Sequence, residues 1–385
     1  MLRQASLLVG AVLLASIASG QSLPTGAIVD NVKCAGDPTQ SYALYLPSQY
    51  TPDRQWNLLI AFHPAARGRA MVEKYQAAAE RYGYIIAGSN NSRNGPWAVS
   101  VAAVKAMTVD LSQRFSINPQ RVYATGMSGG ARVAMELALA NASVAGVIAS
   151  SAGFPDSQPR TNVGFAIFAT AGTDDFNYLE MRLLDRKLKS PHRLALFNGG
   201  HTLPPDAVAL DAIEWMELQA MKSNRRPRSD QLIDRLLADR RALMASASSP
   251  VETVHLLEDF VADFTGLRDT SIESRRLKEL SQQGDVKKAL SRERASDDGE
   301  MRMLSEIFEL EAGLSDRDRH HEVMLTLRDR LSRLSQKADA PEETPERSQA
   351  RRVLRSITAG ASGRVQDREY MQLLTEFGMR GRGGL

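Results

Sequence analysis

The sequence predicts an α/β fold, a mostly parallel sheet flanked by helices, followed by an all-α helical C-terminal region. Three observations carry this. Through the first 223 residues, short apolar runs rich in β-branched residues alternate with stretches of helical apolar spacing, the pattern of strands and crossover helices. At Gly126-Met127-Ser128-Gly129-Gly130 one such run turns directly into a helical pattern. After Ser223 the strand-like runs stop, charged residues become more than twice as frequent, and amphipathic helical stripes follow one another.

The second observation carries the chemistry. Arg121-Val122-Tyr123-Ala124-Thr125 reads as a buried parallel strand, and Ala131 to Ala140 has helical spacing and strong helix formers. Between them stands G-x-S-x-G, the strand-turn-helix setting that pushes a serine out above a sheet. A serine on so tight a turn has strained dihedrals, and its neighbours two positions either side must lack a Cβ for strand and helix to pass closely. Gly126 and Gly130 meet that need, and Ser128 is the candidate nucleophile.

A nucleophilic serine in this setting has an acid and then a histidine downstream, each just after a strand. Val163 to Ala171 is a strand-like run ending in Gly172-Thr173-Asp174-Asp175, so one of two adjacent carboxylates is the candidate acid. Either aspartate would also serve as a cap for a helix starting near Tyr178. Arg193 to Phe197 is the next apolar run, and it ends in Asn198-Gly199-Gly200-His201 ahead of a helix from Asp206 to Met221. Taken singly, His201 reads as a solvated loop histidine; residue type, chain order and strand-end placement together select a triad.

These residues resemble the secreted α/β-hydrolases that include feruloyl esterases and polyhydroxybutyrate depolymerase-like esterases. The resemblance lies in Asn118-Pro119-Gln120-Arg121-Val122-Tyr123 leading into the serine turn, in Gly172-Thr173-Asp174-Asp175, similar to a G-T-x-D acid motif, and in Gly199-Gly200-His201 followed by Thr202 and Pro204. It spans roughly residues 27 to 222. It implies cleavage of carboxylic esters, feruloyl or acetyl or of polyhydroxyalkanoate type, by Ser128, Asp175 and His201, with Asp175 favoured over Asp174. The substrate would be a small or polymeric ester. One departure stands out: family members carry His-Gly after the third strand, whereas this chain has His63-Pro64. An oxyanion hole needs the amide after the nucleophile, Gly129, and a second from this loop; Pro64 has none, which leaves Ala65 as the candidate.

Tyr84 to Ala87 reads as the fourth strand, and its exit loop should lie on the edge where ligands bind in open parallel sheets. Arg93 and Trp97 on that loop are the candidate substrate contacts, with plain core packing the alternative for Trp97. No cluster of residues has metal-ligand spacing, and no cofactor is implied. Net charge is only +3, so no nucleic-acid partner is expected.

Residues 1–20 read as a signal peptide, with Arg3 in a positive start, an apolar core from Leu7 to Ile17 too short to span a bilayer, and a small-residue cleavage site, so the protein is expected to be secreted or periplasmic with no transmembrane span in the mature chain. An uncleaved anchor is the alternative. Cys34 is the only cysteine, so no internal disulfide forms. The expected organisation is a hydrolase domain over 21–223, a Pro-containing basic linker at Asn224 to Ser229, and a helical domain of unknown role over 224–385 ending in a disordered tail from Met379. Apolar stripes run through Leu232, Leu236 and Leu243, through Val254, Leu257 and Val261, through Leu304, Ile307 and Phe308, and through Leu327, Leu331 and Leu334. Thr344-Pro345 marks a helix start. A peptidase or thioesterase of the same fold, and a catalytically weak scaffold whose helices bind a partner, are the alternative readings.

Overall fold

The computed structural model describes residues 23–377. The expected signal segment and C-terminal tail lie outside the described residues. The first part of the chain runs Ile28–Cys34 (β1), Asp37–Tyr45 (β2), Trp56–Phe62 (β3), Gly68–Tyr82 (α1), Tyr84–Ser89 (β4), Trp97–Arg114 (α2), Ile117–Met127 (β5), Gly129–Ala140 (α3), Val144–Ser150 (β6), Ala166–Gly172 (β7), Tyr178–Lys187 (α4), His192–Phe197 (β8) and Asp206–Lys222 (α5). The strands form one 8-stranded sheet in the order β1-β2-β4-β3-β5-β6-β7-β8. β2 pairs antiparallel with β1 and β4, and all other pairings are parallel. This is the α/β-hydrolase arrangement.

Every residue of β4, β6 and β7 is buried, which is why these strands are continuous apolar runs rather than alternating ones. On one face α1 and α5 cover the sheet, packing Met71, Tyr75, Ile213 and Trp215 against Leu59, Ile86, Ile148 and Phe168. On the other face Met107, Leu111, Val133, Leu137 and Met181, from α2, α3 and α4, pack against Leu58, Ile60, Ile85 and Val147. β7 begins at Ala166, three residues after the run read from sequence, because Val163 and Gly164 lie before the paired register.

The second part is helical: Asp230–Ala245 (α6), Pro250–Phe264 (α7), Ser271–Gln282 (α8), Gly284–Gly313 (α9), His320–Ala338 (α10), Pro345–Thr358 (α11), Ala361–Arg364 (α12) and Arg368–Glu376 (α13). Its starts are written locally. Ser229, Ser249 and Thr344 each accept an N–H from the first turn of the helix they cap, and Pro250 and Pro345 follow the last two caps. Two members of the expected stripes face solvent instead: Leu243 is 44% exposed, and Phe308, 37% exposed, lies beneath the Arg364 guanidinium.

Packing crosses the expected division at residue 223. Leu218 and Met221 of α5 share one apolar cluster with Ile233, Leu236, Met244, Leu257, Phe260 and Phe264 of α6 and α7, so the core runs through the boundary. Buried charges cross it as well. Arg193 of β8 meets Asp263 of α7 at 2.8 Å and Asp259 at 3.4 Å, and Trp215 Nε1 donates to Asp263 at 2.7 Å. Arg121 of β5 and Arg226 beyond α5 both bond Glu217. The charge change after Ser223 records helices with a wet outer face; their inner faces pack against α5 and against each other.

A chain ending at Ser223 is therefore expected to lose more than a solvated appendage. It exposes Leu218 and Met221, which pack against α6 and α7, and strips Arg193 of Asp259 and Asp263, leaving it Asp211 at 3.6 Å. We expect aggregation, or a melting temperature lower by roughly 10 °C or more. Thermal unfolding of the 21–223 chain against the 21–385 chain checks this, and equal melting temperatures would contradict it.

Candidate active site

Ser128 stands between the last residue of β5 and the first of α3, with φ 52° and ψ −122°. A non-glycine residue there carries strain of order 1–3 kcal/mol, held by what surrounds it. Its N–H donates to Ser150 O at 2.8 Å, and its carbonyl accepts the N–H groups of Ala131 and Arg132. The two motif glycines are forced by contact. A Cβ at Gly126 would lie 2.2 Å from Gly130 O, and one at Gly130 would lie 2.2 Å from Phe62 O. Strand, helix and the neighbouring β3 thus meet backbone to backbone around the serine. Gly129 is the first residue of α3, so its N–H has no carbonyl four residues back and stays free for a ligand.

β7 and β8 end on the same edge. Thr173 N–H donates to Phe197 O at 2.9 Å and Asp174 N–H to Gly199 O at 2.8 Å, zipping the acid loop to the histidine loop. Gly172 permits this approach, since a Cβ there would lie 2.3 Å from Gly199 O. Across the zipped loops His201 Nδ1 meets Asp175 Oδ1 at 2.8 Å. The Asp175 side chain is fully buried and that of His201 13% exposed. Asn177 N–H also donates to Asp175 Oδ1, at 2.8 Å, while Oδ2 is buried with no protein partner. A carboxylate on Nδ1 places the ring proton there and leaves Nε2 as a base. The adjacent aspartates separate: Asp174 turns to Arg351 of α11 at 3.1 Å, and only Asp175 faces the histidine.

Three neighbours were not singled out from sequence. Phe176 stacks on the His201 ring, centroids 3.9 Å apart and planes 26° apart. Asn177 Nδ2 donates to Ser151 O at 2.6 Å, tying the acid loop to the end of β6. Asn94 lies against Gly129, its Oδ1 1.8 Å from where a Cβ would stand, and its N–H donates to Pro64 O at 2.8 Å. Phe176 and Asn177 follow the acid motif directly, so their nearness to Asp175 was readable; the Asn94 contact arises from tertiary packing alone.

The loop after β3 departs from the simplest oxyanion geometry. Ala65 N–H donates to its own neighbour, His63 Nδ1, at 3.0 Å. His63 is buried, and burial together with the charge of Arg67 holds its imidazole below the usual histidine range, so the ring is neutral and able to accept. Ala65 also pairs antiparallel with Arg93. Arg93 is exposed, its Nη1 donating to Asn91 O. Trp97 opens α2 with 42% exposure, which removes the core-packing alternative. Among the described residues no three His, Cys, Asp or Glu side chains are grouped as metal ligands would be, and no described helix is long and apolar enough to cross a membrane. The Cys34 thiol is buried, which pushes it up to about 11.

No protein-family model matches this sequence, and no curated protein matches it. Among solved structures the chain is similar to a feruloyl esterase module from Clostridium thermocellum complexed with sinapinate, at 13% identity over 49% of this chain and 86% of that one, with a TM-score of 0.37. It is similar also to a truncated carbohydrate esterase from gut microbiota, at 14% identity over 51% of this chain and 97% of that one, TM-score 0.40. Thermogutta terrifontis esterase 2 matches at 13% identity, covering 53% of this chain and 96% of that one, TM-score 0.41.

Because a methyl at Gly172 collides with backbone rather than with a flexible side chain, Gly172→Ala should cost about 1–3 kcal/mol and lower the melting temperature by several degrees. Gly164→Ala, where nothing lies within 4 Å, should leave it nearly unchanged. Differential scanning calorimetry of the pair checks the close approach of the two loops.

Proposed function

We propose that the protein is an exported serine hydrolase that cleaves carboxylic esters through Ser128, His201 and Asp175. The observation that carries this reading is the buried Asp175–His201 bond of 2.8 Å on the sheet edge where Ser128 stands in its strained turn. Export rests on residues 1–20 as a signal segment.

In this reading Ser128 Oγ attacks the ester carbonyl carbon as its proton passes to His201 Nε2. Asp175 holds the tautomer and stabilises the imidazolium that forms. The tetrahedral oxyanion is met by Gly129 N–H. A second donor comes from the loop after β3, where Ala65 N–H exchanges His63 Nδ1 for the oxyanion. Collapse breaks the carbon–oxygen bond to the leaving alcohol, which takes the proton from His201, and the acyl group remains on Ser128. Water then attacks the acyl-enzyme by the same route, releasing the acid. Feruloyl or acetyl esters, or a polyhydroxyalkanoate, are the substrate classes proposed, with Trp97 and Arg93 on the β4 exit loop as contacts for the acyl or aryl group. The exposed indole of Trp97 supports that placement.

With p-nitrophenyl acetate and methyl ferulate as substrates, Ser128→Ala and His201→Ala should each cut kcat by about 10³-fold or more. Asp175→Asn should cost orders of magnitude by spoiling the tautomer, and Asp174→Asn much less. Ester turnover that survives in folded Ser128→Ala would overturn the reading.

A further inference from the structure

We propose that α11 is a positioning element for the acid arm: by holding the backbone around Asp175 it sets the Asp175–His201 bond. The kinetic part of this proposal rests on the ester-hydrolase reading; its structural part does not.

Each carbonyl of residues 173 to 176 has a donor, and three of the four donors come from α11. Arg352 Nη1 donates to Thr173 O at 2.9 Å, Arg355 Nη1 to Asp174 O at 2.6 Å, and Ser356 Oγ to Phe176 O at 2.7 Å. The fourth, Asp175 O, accepts the N–H of Tyr178 at 3.0 Å inside its own turn. Positions 352, 355 and 356 are spaced three and four apart, so they share one face of the helix. Arg351, at the edge of that face, meets the Asp174 carboxylate. The charge beside the acid is thereby paired, and Asp175 is the carboxylate left to the histidine.

The clamp is itself held. Arg352 is bonded to Glu300 of α9 at 2.6 Å, with the two side chains 8% and 2% exposed, and its guanidinium lies 4.1 Å over the Tyr178 ring. α11 packs Val353 and Ile357 into the apolar cluster of α9, α10 and α13. Loops that carry functional residues are ordinarily the most mobile parts of a fold. Here the acid loop is pinned on both sides, by β8 and the histidine loop through Thr173 and Asp174 N–H, and by α11 through the carbonyls. Ser356 adds a second route to the histidine, since the residue whose carbonyl it holds is Phe176, the ring stacked on His201.

The test uses the 21–385 chain with Arg355→Ala, Ser356→Ala and the two combined, with Arg355→Lys and Ser356→Thr as conservative replacements. Arg333→Ala, on the 67% exposed arginine of α10, is the control. Arg352 is left intact because its loss would strand buried Glu300. The first readout is the far-downfield proton NMR resonance of the His201 Nδ1–H, identified by its loss in His201→Ala and Asp175→Asn. The second is kcat, KM and the pH profile of kcat/KM on p-nitrophenyl acetate.

The combined variant should lose or broaden the downfield resonance while its circular dichroism stays that of the wild type. Its kcat should fall about tenfold to a hundredfold with KM changed less than threefold, the size expected when a catalytic group is misplaced by about 1 Å. The pH profile of kcat/KM should differ from that of the wild type, because the variant loses both the Arg355 cation beside the acid loop and the placement of the carboxylate. The conservative replacements should restore most of the loss. A combined variant with the wild-type resonance, profile and kcat, altered only in melting temperature, would overturn the proposal by reducing α11 to a stabilising support. So would a wild-type spectrum without the resonance. Should the wild type show the resonance but hydrolyse no ester, the ester-hydrolase reading fails, and the NMR comparison still decides the role of α11.

Discussion

The contact between the ends of β7 and β8 is the constraint on which the site depends. Asp175 and His201 lie on different loops, and a 2.8 Å bond between them requires those loops to run side by side with almost no space between. Two backbone bonds, Thr173 N–H to Phe197 O and Asp174 N–H to Gly199 O, hold them there, and only a residue without a Cβ at position 172 lets them approach so far. The same logic governs the serine, where Gly126, Gly130 and Phe62 O are stacked within van der Waals limits. The site is an arrangement of backbones first, with the candidate side chains placed by it.

The helical region acts on this arrangement from outside. Its apolar residues merge with α5, and its acidic residues receive arginines from the sheet and a helix that flanks it: Asp263 takes Arg193 of β8, and Asp297 takes Arg182 of α4. Pairs this buried add little net stability compared with apolar contacts, but they are costly to break once formed, so they fix where the helices sit. That placement carries α11 onto the loop of Asp175.

Much of the fold was legible because it is local. The serine turn is written in consecutive residues, the buried strands are short apolar runs, and Thr344-Pro345 states its helix start outright. The order of Ser128, Asp175 and His201 along the chain, each after a strand, was enough to mark them before any geometry was known. Choosing between Asp174 and Asp175 from the residues alone was not possible, since what separates them is Arg351, 177 positions away from Asp174 in sequence. The composition change at residue 223 is limited for a related reason: it reports how wet a helix's outer face is and says nothing of what its inner face meets. Ala65 was selected by eliminating Pro64, and no sequence rule announces that the His63 ring would take its amide.

The most direct measurement is a crystal structure of the 21–385 chain after reaction with a fluorophosphonate. On this account the phosphorus is bonded to Ser128 Oγ, a phosphoryl oxygen lies about 3 Å from Gly129 N, and His201 remains bonded to Asp175 with Arg352, Arg355 and Ser356 still on the acid loop. An unmodified Ser128, or an adduct on Ser128 with His201 swung away from Asp175 and the α11 contacts intact, would contradict it.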